Sequence, residues 1–145
     1  MLPSSLAPPV RSVLSTNRQL QMPISGNKKI LAVLGDLFFT VKINESAKRA
    51  GLPVEFVKSE HDAVEGAKGR PVLMILDLNF GGIDPLNLIR TLKADPETKA
   101  IPLIGYLSHV QGELKQQAQE AGCNMVLARS AFSQNLPVIL KRHAA

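Results

Sequence analysis

A single carboxylate, Asp77, ends a short segment that is apolar throughout. Five apolar residues, 72–76, lead directly to Asp77, and a loop with two glycines, 78–82, follows. Such a run is typical of a strand buried on both faces, as in the centre of a parallel sheet. Chemistry in open α/β sheets lies just beyond the carboxyl ends of the strands. Asp77 is therefore the first candidate for chemistry; the alternative is that it caps a loop or pairs with a surface cation.

Several common catalytic patterns are missing from the sequence. It contains no Ser/His/Asp ordering, no glycine-rich phosphate loop and no HExxH motif. The one cysteine, Cys123, cannot form an internal disulfide, and no set of zinc ligands is present. The segment 37–40 lacks the polar phosphate cradle that a flavin-binding protein would need. A flavodoxin-type electron carrier is therefore strongly disfavoured. We therefore predict a protein that is not an enzyme.

Composition indicates one packed domain of 145 residues, with 45% hydrophobic and 20% charged residues. No apolar run approaches the ~20 residues that cross a bilayer, so we predict no membrane association. The net charge is +5, but residues 1–28 hold three cations and no acid, so most of the excess lies there. Basic residues do not cluster with aromatic ones, and no nucleic-acid-binding surface is indicated.

Residues 1–27 differ from the rest of the chain. They are rich in Pro, Ser, Asn and Gln and show neither a helical nor a strand period. Two prolines interrupt the apolar stretch 6–10, which makes it a poor signal peptide. We predict a disordered leader over 1–27 and a folded domain over 28–145.

Strand-like and helix-like segments alternate along the domain. Apolar runs predict strands at 29–34, 53–57, 71–77, 101–107 and 124–128. Apolar periodicity and capping residues predict helices at 40–49, 63–68, 85–93, from a cap at Ser108 to 121, and from a cap at Ser133 to 142. This alternation predicts an α/β fold with a five-stranded, doubly wound parallel sheet.

From Lys29 onward the chain resembles a response-regulator receiver domain. The resemblance rests on the order and spacing of several short segments, which are 76–79, 82–84, 88–93, 101–104, 121–123 and 129–132. It implies the flavodoxin-like strand order 2-1-3-4-5, in which the ends of the first and third strands meet at a switch point. It therefore also implies that Asp36 and Asp77 share one pocket.

The resemblance assigns roles to individual residues. Asp77 takes the position of the aspartate that accepts a phosphoryl group from a histidine kinase. Asp36, Asp77 and the carbonyl of Asn79 take the positions of Mg²⁺ ligands, whereas Gly35 replaces a second acid. Four further positions depart from the family pattern: Leu107 replaces a hydroxyl residue, with Ser108 next to it, Arg129 replaces a lysine, Ser130 replaces a proline, and Val126 replaces an aromatic residue.

The departures weaken the expected chemistry without removing it. Phosphoryl transfer to a carboxylate needs charge neutralisation more than covalent help. Two carboxylates can hold Mg²⁺ with water in the other positions, so Asp36 and Asp77 predict a weakened metal site. Arg129 can hold oxygens through two nitrogens. Leu107 cannot donate a hydrogen bond, and in a regular strand Ser108 would face the wrong side.

Two functional hypotheses follow. In the first, the protein is a single-domain cytoplasmic receiver in a phosphorelay, with Asp77 phosphorylated and a sensor histidine kinase or other signalling protein as partner. Since no effector follows Ala145, its output would be partner docking on the fourth and fifth helices and the strand between them. In the second, it is a phosphorylation-independent adaptor in which both acids only neutralise Arg129.

His109, near the site, is expected to be a solvated first-turn residue, and Tyr106 a core or rim residue.

Overall fold

The computed structural model describes residues 28–108 and 111–145, so the predicted leader over 1–27 and His109 lie outside the described part. The strands are β1 (Ile30–Val33), β2 (Val54–Val57), β3 (Leu73–Asp77), β4 (Leu103–Leu107) and β5 (Met125–Ala128). The helices are α1 (Leu37–Ala50), α2 (Glu60–Ala67), α3 (Pro85–Ala94), α4 (Gly112–Ala121) and α5 (Arg129–Ala144). The predicted alternation of five strands and five helices is confirmed.

The five strands form one parallel sheet in the order β2-β1-β3-β4-β5. This is the strand order that the resemblance implied. Every residue of the central strand β3 is buried, whereas the edge strand β2 is half exposed. The apolar run before Asp77 is therefore a central strand, as its composition predicted.

Helices cover both faces of the sheet, and each face has its own core. Helices α1 and α5 pack on one face, and α2, α3 and α4 pack on the other. Within the described residues, no helix is long and apolar enough to span a bilayer.

Four helices begin at residues other than those predicted; one of them, α2, begins at Glu60 and not at Ala63, with Ser59 as its N-cap. Helix α1 begins at Leu37 and not at Thr40, because the Asp36 side chain accepts a hydrogen bond from the Phe38 N–H at 2.8 Å and caps the helix there. Helix α4 begins at Gly112, so the prediction that Ser108 caps it was wrong.

The start predicted for the last helix was wrong by more than one turn, because the N-cap is Ala128 and not Ser133. Helix α5 begins at Arg129, directly after β5, and Ser133 lies inside it. Its N-cap, Ala128, has no side chain that can accept a hydrogen bond. A cation in the first turn opposes the helix dipole, so sequence signals alone disfavour this start, and tertiary contacts of Arg129 compensate for it.

Candidate functional site

Asp77 is the last residue of β3 and is 5% exposed. Its Oδ1 accepts a hydrogen bond from the Asn79 N–H at 2.9 Å. Burial raises the pKa of the Asp77 carboxyl above its ordinary value, and the negative charge of Asp36 adds to this. The Asn79 N–H and the Arg129 guanidinium oppose the rise in pKa. A buried acid thus stands at the centre of the carboxyl edge of the sheet.

Asp36 follows β1 and serves two structural elements. One carboxylate oxygen, Oδ1, caps α1, and the hydroxyl of Thr40 donates to the Asp36 carbonyl at 2.8 Å. The other oxygen, Oδ2, forms an ion pair with Nη2 of Arg129. Both oxygens of this half-buried acid therefore already have partners.

Arg129 connects the two acids. While its Nη2 pairs with Asp36, its Nη1 lies 4.0 Å from Oδ1 of Asp77. The implied meeting of Asp36 and Asp77 at one edge of the sheet is therefore observed, with a guanidinium between them. The predicted site residues Asp36, Asp77 and Arg129 form one cluster.

Two aromatic rings lie beneath Arg129 and pack against a third, and none of the three was predicted to belong to the site. Tyr106 stacks on Phe132 with ring centroids 4.8 Å apart, and Phe39 lies 4.6 Å from Tyr106. The guanidinium carbon of Arg129 is 5.0 Å from the Phe39 centroid and 5.4 Å from that of Tyr106. Both distances are in the range of cation–π attraction. These rings are half of the six aromatic residues in the chain. The rarity of aromatic residues was the feature of the sequence from which a cluster here could have been suspected.

Tyr106 is the register partner of Asp77 on the neighbouring strand, so both side chains point to the same face of the sheet. The tyrosine is fully buried, which confirms the core prediction. Its hydroxyl has no hydrogen-bond partner among the described residues. Burial raises the pKa of Tyr106, and the nearby charges of Asp77 and Asp36 raise it further.

Asn79 and Ser108 belong to a second, polar part of the site. The Asn79 side chain donates to Oε1 of Gln111 at 2.6 Å, and the Ser108 N–H donates to Oδ1 of Asn79 at 3.0 Å. Ser108 is therefore linked to Asp77 through Asn79, and no described contact joins its hydroxyl to Asp77. Leu107 is buried in the core at the position where the family pattern has a hydroxyl.

The cluster offers few of the free oxygen ligands that Mg²⁺ requires. No group of three or more His, Cys, Asp or Glu side chains that could hold a metal occurs in residues 28–108 and 111–145. Both oxygens of Asp36 are engaged, Oδ1 of Asp77 is engaged, and a guanidinium lies beside each acid. Mg²⁺ demands near-ideal octahedral oxygen ligation, so the ion does not fit unless Arg129 moves.

Solved structures with the same fold are receiver domains. The chemotaxis response regulator CheY4 of Vibrio cholerae is 20% identical with a TM-score of 0.69, and the match covers 80% of this chain and 98% of that one. The receiver domain of a signal transduction histidine kinase from Syntrophus aciditrophicus is 23% identical with a TM-score of 0.70, covering 81% and 89%.

A third similar structure is described with a metal ion. It is the receiver domain of a sensor histidine kinase from Pseudomonas aeruginosa PAO1, with magnesium coordinated in its active-site cleft. It is 22% identical with a TM-score of 0.68, and the match covers 81% of this chain and 97% of that one. No protein-family model matches the sequence, and no curated protein was found to be similar. The fold of this chain is that of response-regulator receiver domains.

Proposed function

We propose that this chain acts as a receiver in phosphorelay signalling, in which Asp77 accepts a phosphoryl group from a histidine kinase or a small phosphodonor. The observation that carries the proposal is the position of Asp77, buried at the end of the central strand with the Arg129 guanidinium 4.0 Å from its Oδ1. Its role is signalling in the cytoplasm, and not turnover of a small-molecule substrate.

The chemistry requires one nucleophilic oxygen and a cation. A carboxylate oxygen of Asp77 attacks phosphorus, an O–P bond forms, and the P–N bond to the donor histidine, or the P–O bond to an acyl donor, breaks. The electron pair of that bond leaves with the donor. Oδ2 of Asp77 forms no hydrogen bond or ion pair with any described residue, so it is the oxygen available for attack. Arg129 is placed to neutralise charge on the new phosphoryl group.

A weakened Mg²⁺ site at Asp36, Asp77 and the Asn79 carbonyl stays a prediction of this proposal. The similar receiver domain with magnesium in its cleft supports it. In the arrangement described above, the ion would have to displace Arg129 from Asp36. We therefore expect Mg²⁺ to bind less tightly here than in a site with two free acids after the first strand.

Output is proposed to occur by partner docking on α4, β5 and α5. Strand β5 is at the edge of the sheet, next to β4 only, and Met125 at its start is exposed. The exposed face of α4 is polar, with Lys115, Gln116 and Glu120. A surface of this kind suits a reversible complex more than a permanent one.

Intact-mass measurement after incubation with acetyl phosphate tests the proposal. We expect the wild type to gain one phosphoryl group, mapped to Asp77, and Asp77→Asn to gain none. Asp62→Asn, which removes an exposed acid on α2, is the control and should label as the wild type does. The reaction should be run with Mg²⁺ and, separately, with a chelator.

An unlabelled wild type in both reactions, under conditions that label another receiver domain, would refute the phosphorylation proposal. If Asp77→Asn also kept full partner binding and biological output, the phosphorylation-independent adaptor would be the correct function.

A further inference from the structure

We infer that Arg129 is the resident cation of this site: its guanidinium lies between Asp36 and Asp77 and competes with a divalent ion for both acids. The inference concerns the same site as the proposed function, but it stands whether or not Asp77 is phosphorylated. Its basis is that two different nitrogens of one side chain face the two acids, Nη2 toward Asp36 and Nη1 toward Asp77.

The guanidinium is held on more than one side. About a third of the Arg129 side chain is exposed (37%), but its head group lies over the buried rings of Phe39 and Tyr106. Those rings pack with Phe132 from α5. A planar, weakly hydrated cation stacks well on aromatic faces, and lysine does so less well. The position of Arg129 is thus fixed by Asp36 at the start of α1, by α1 itself through Phe39, and by β4 through Tyr106.

Charge balance favours the arginine over a metal ion. Gly35 stands where a second acid would be, so the cluster consists of two carboxylates and one guanidinium. A dication at the same place would lie close to a permanent positive charge, and the like-charge repulsion would be strong in a partly buried site. Arginine does not lose its proton in proteins, so the repulsion cannot be relieved by deprotonation.

The shortage of free oxygen ligands also disfavours a metal ion at this site. Mg²⁺ loses its water shell reluctantly and needs free oxygen ligands. An oxygen of Asp36 would have to become free, so either Oδ2 would leave Arg129 or Oδ1 would leave the N-terminus of α1. Metal binding would therefore break a part-buried ion pair or uncap one helix.

Titration with MgCl₂, followed by calorimetry and by amide chemical shifts, tests the inference without any phosphodonor. We expect no saturable response in the wild type at concentrations where Arg129→Gln binds the ion, with a gain in affinity of at least about tenfold on removal of the neighbouring positive charge. Arg129→Lys should fall between them, because a lysine can pair with one acid and swing away from the other.

The chain offers a matched control on the same helix. Arg142→Gln removes the same charge about 20 Å along α5, at 1.5 Å per residue, and should respond to Mg²⁺ as the wild type does. In Arg129→Gln, the added substitution Asp36→Asn should abolish the acquired binding. That loss would place the ion at the predicted acids.

Equal responses of the wild type and Arg129→Gln, whether both bind Mg²⁺ or neither does, would overturn the inference. If Arg129→Gln does not fold, Arg129→Lys takes its place: the inference requires this variant to bind Mg²⁺ more tightly than the wild type does, and equal affinities refute it. Failure of acetyl phosphate labelling, with the titrations as expected, would refute only the proposed function.

Discussion

The two faces of the sheet are built from different side chains. The face covered by α1 and α5 buries Phe39, Tyr106 and Phe132. The buried cluster under α2, α3 and α4 contains aliphatic residues and Cys123 but no buried aromatic ring. Both faces pack well enough to form a core, yet the charged cluster lies over the aromatic one. The difference indicates that aromatic packing here also positions a cation.

The largest effect should come from removing one large core residue on each face. Phe132→Ala deletes a fully buried ring and should lower the free energy of unfolding by about 3–5 kcal/mol. Leu88→Ala, on the aliphatic face, should lower it by about 2–5 kcal/mol. Urea unfolding measures both changes.

The comparison between the faces depends on what happens to Arg129 in these variants. In Phe132→Ala the Tyr106 ring loses its stacking partner, so Arg129 side-chain NMR signals should shift. In Leu88→Ala they should stay close to their wild-type positions. If the two variants disturb Arg129 equally, the aromatic face has no special role in holding the cation.

A methyl group added to Gly105 should destabilise the aliphatic face. A Cβ at this position of β4 would lie 2.8 Å from Cδ1 and 3.0 Å from Cγ of the buried Leu78. We expect Gly105→Ala to lower the free energy of unfolding by about 1–3 kcal/mol in urea. Gly81→Ala, where the added atom meets nothing within 4 Å, should change stability by less than about 0.5 kcal/mol. Equal effects of the two would show that Leu78 moves aside freely.

Tyr106→Phe tests the aromatic face without removing a ring. The buried hydroxyl has no partner among the described residues, and such a group lowers stability by about 1–3 kcal/mol. The variant keeps the rings stacked and the face below Arg129, so we expect the midpoint of thermal unfolding to rise. A fall in that midpoint would mean that the hydroxyl is satisfied in solution.

Asp77→Asn should change how stability depends on pH. Because burial raises the pKa of Asp77 in the folded state, the native protein binds this proton more tightly than the unfolded chain does. Stability therefore falls as pH rises from about 3.9, the unfolded value, through the higher folded pKa. We expect Asp77→Asn to be more stable than the wild type at neutral pH.

That advantage should disappear below the unfolded pKa, where both proteins carry a neutral group at position 77. Urea unfolding at a series of pH values measures it. An advantage that grows as the pH falls would contradict burial as the main cause of the raised pKa.

The five strands were predictable from the apolar runs, and the resemblance to receiver domains supplied the strand order and the meeting of the two acids. Most helix starts and the aromatic cluster were not predicted. Apolar runs ending in polar residues define strands, and parallel strands bring their carboxyl ends to one edge. The start of α5 at Arg129 was missed because local rules disfavour a cation there, and only the distant Asp36 makes it favourable. Tyr106 was predicted to be buried, but its stacking partners come from α1 and α5, far away in sequence.

The Asp36 side chain contacts the first turns of two helices, α1 and α5. Oδ1 receives the Phe38 N–H at the start of α1, and Oδ2 holds Arg129, the first residue of α5. Any event that draws the guanidinium toward Asp77 also pulls on the carboxylate that closes the first turn of α1. The exchange rate of the Phe38 amide hydrogen with solvent should consequently report the state of Asp77, although the two residues belong to different elements.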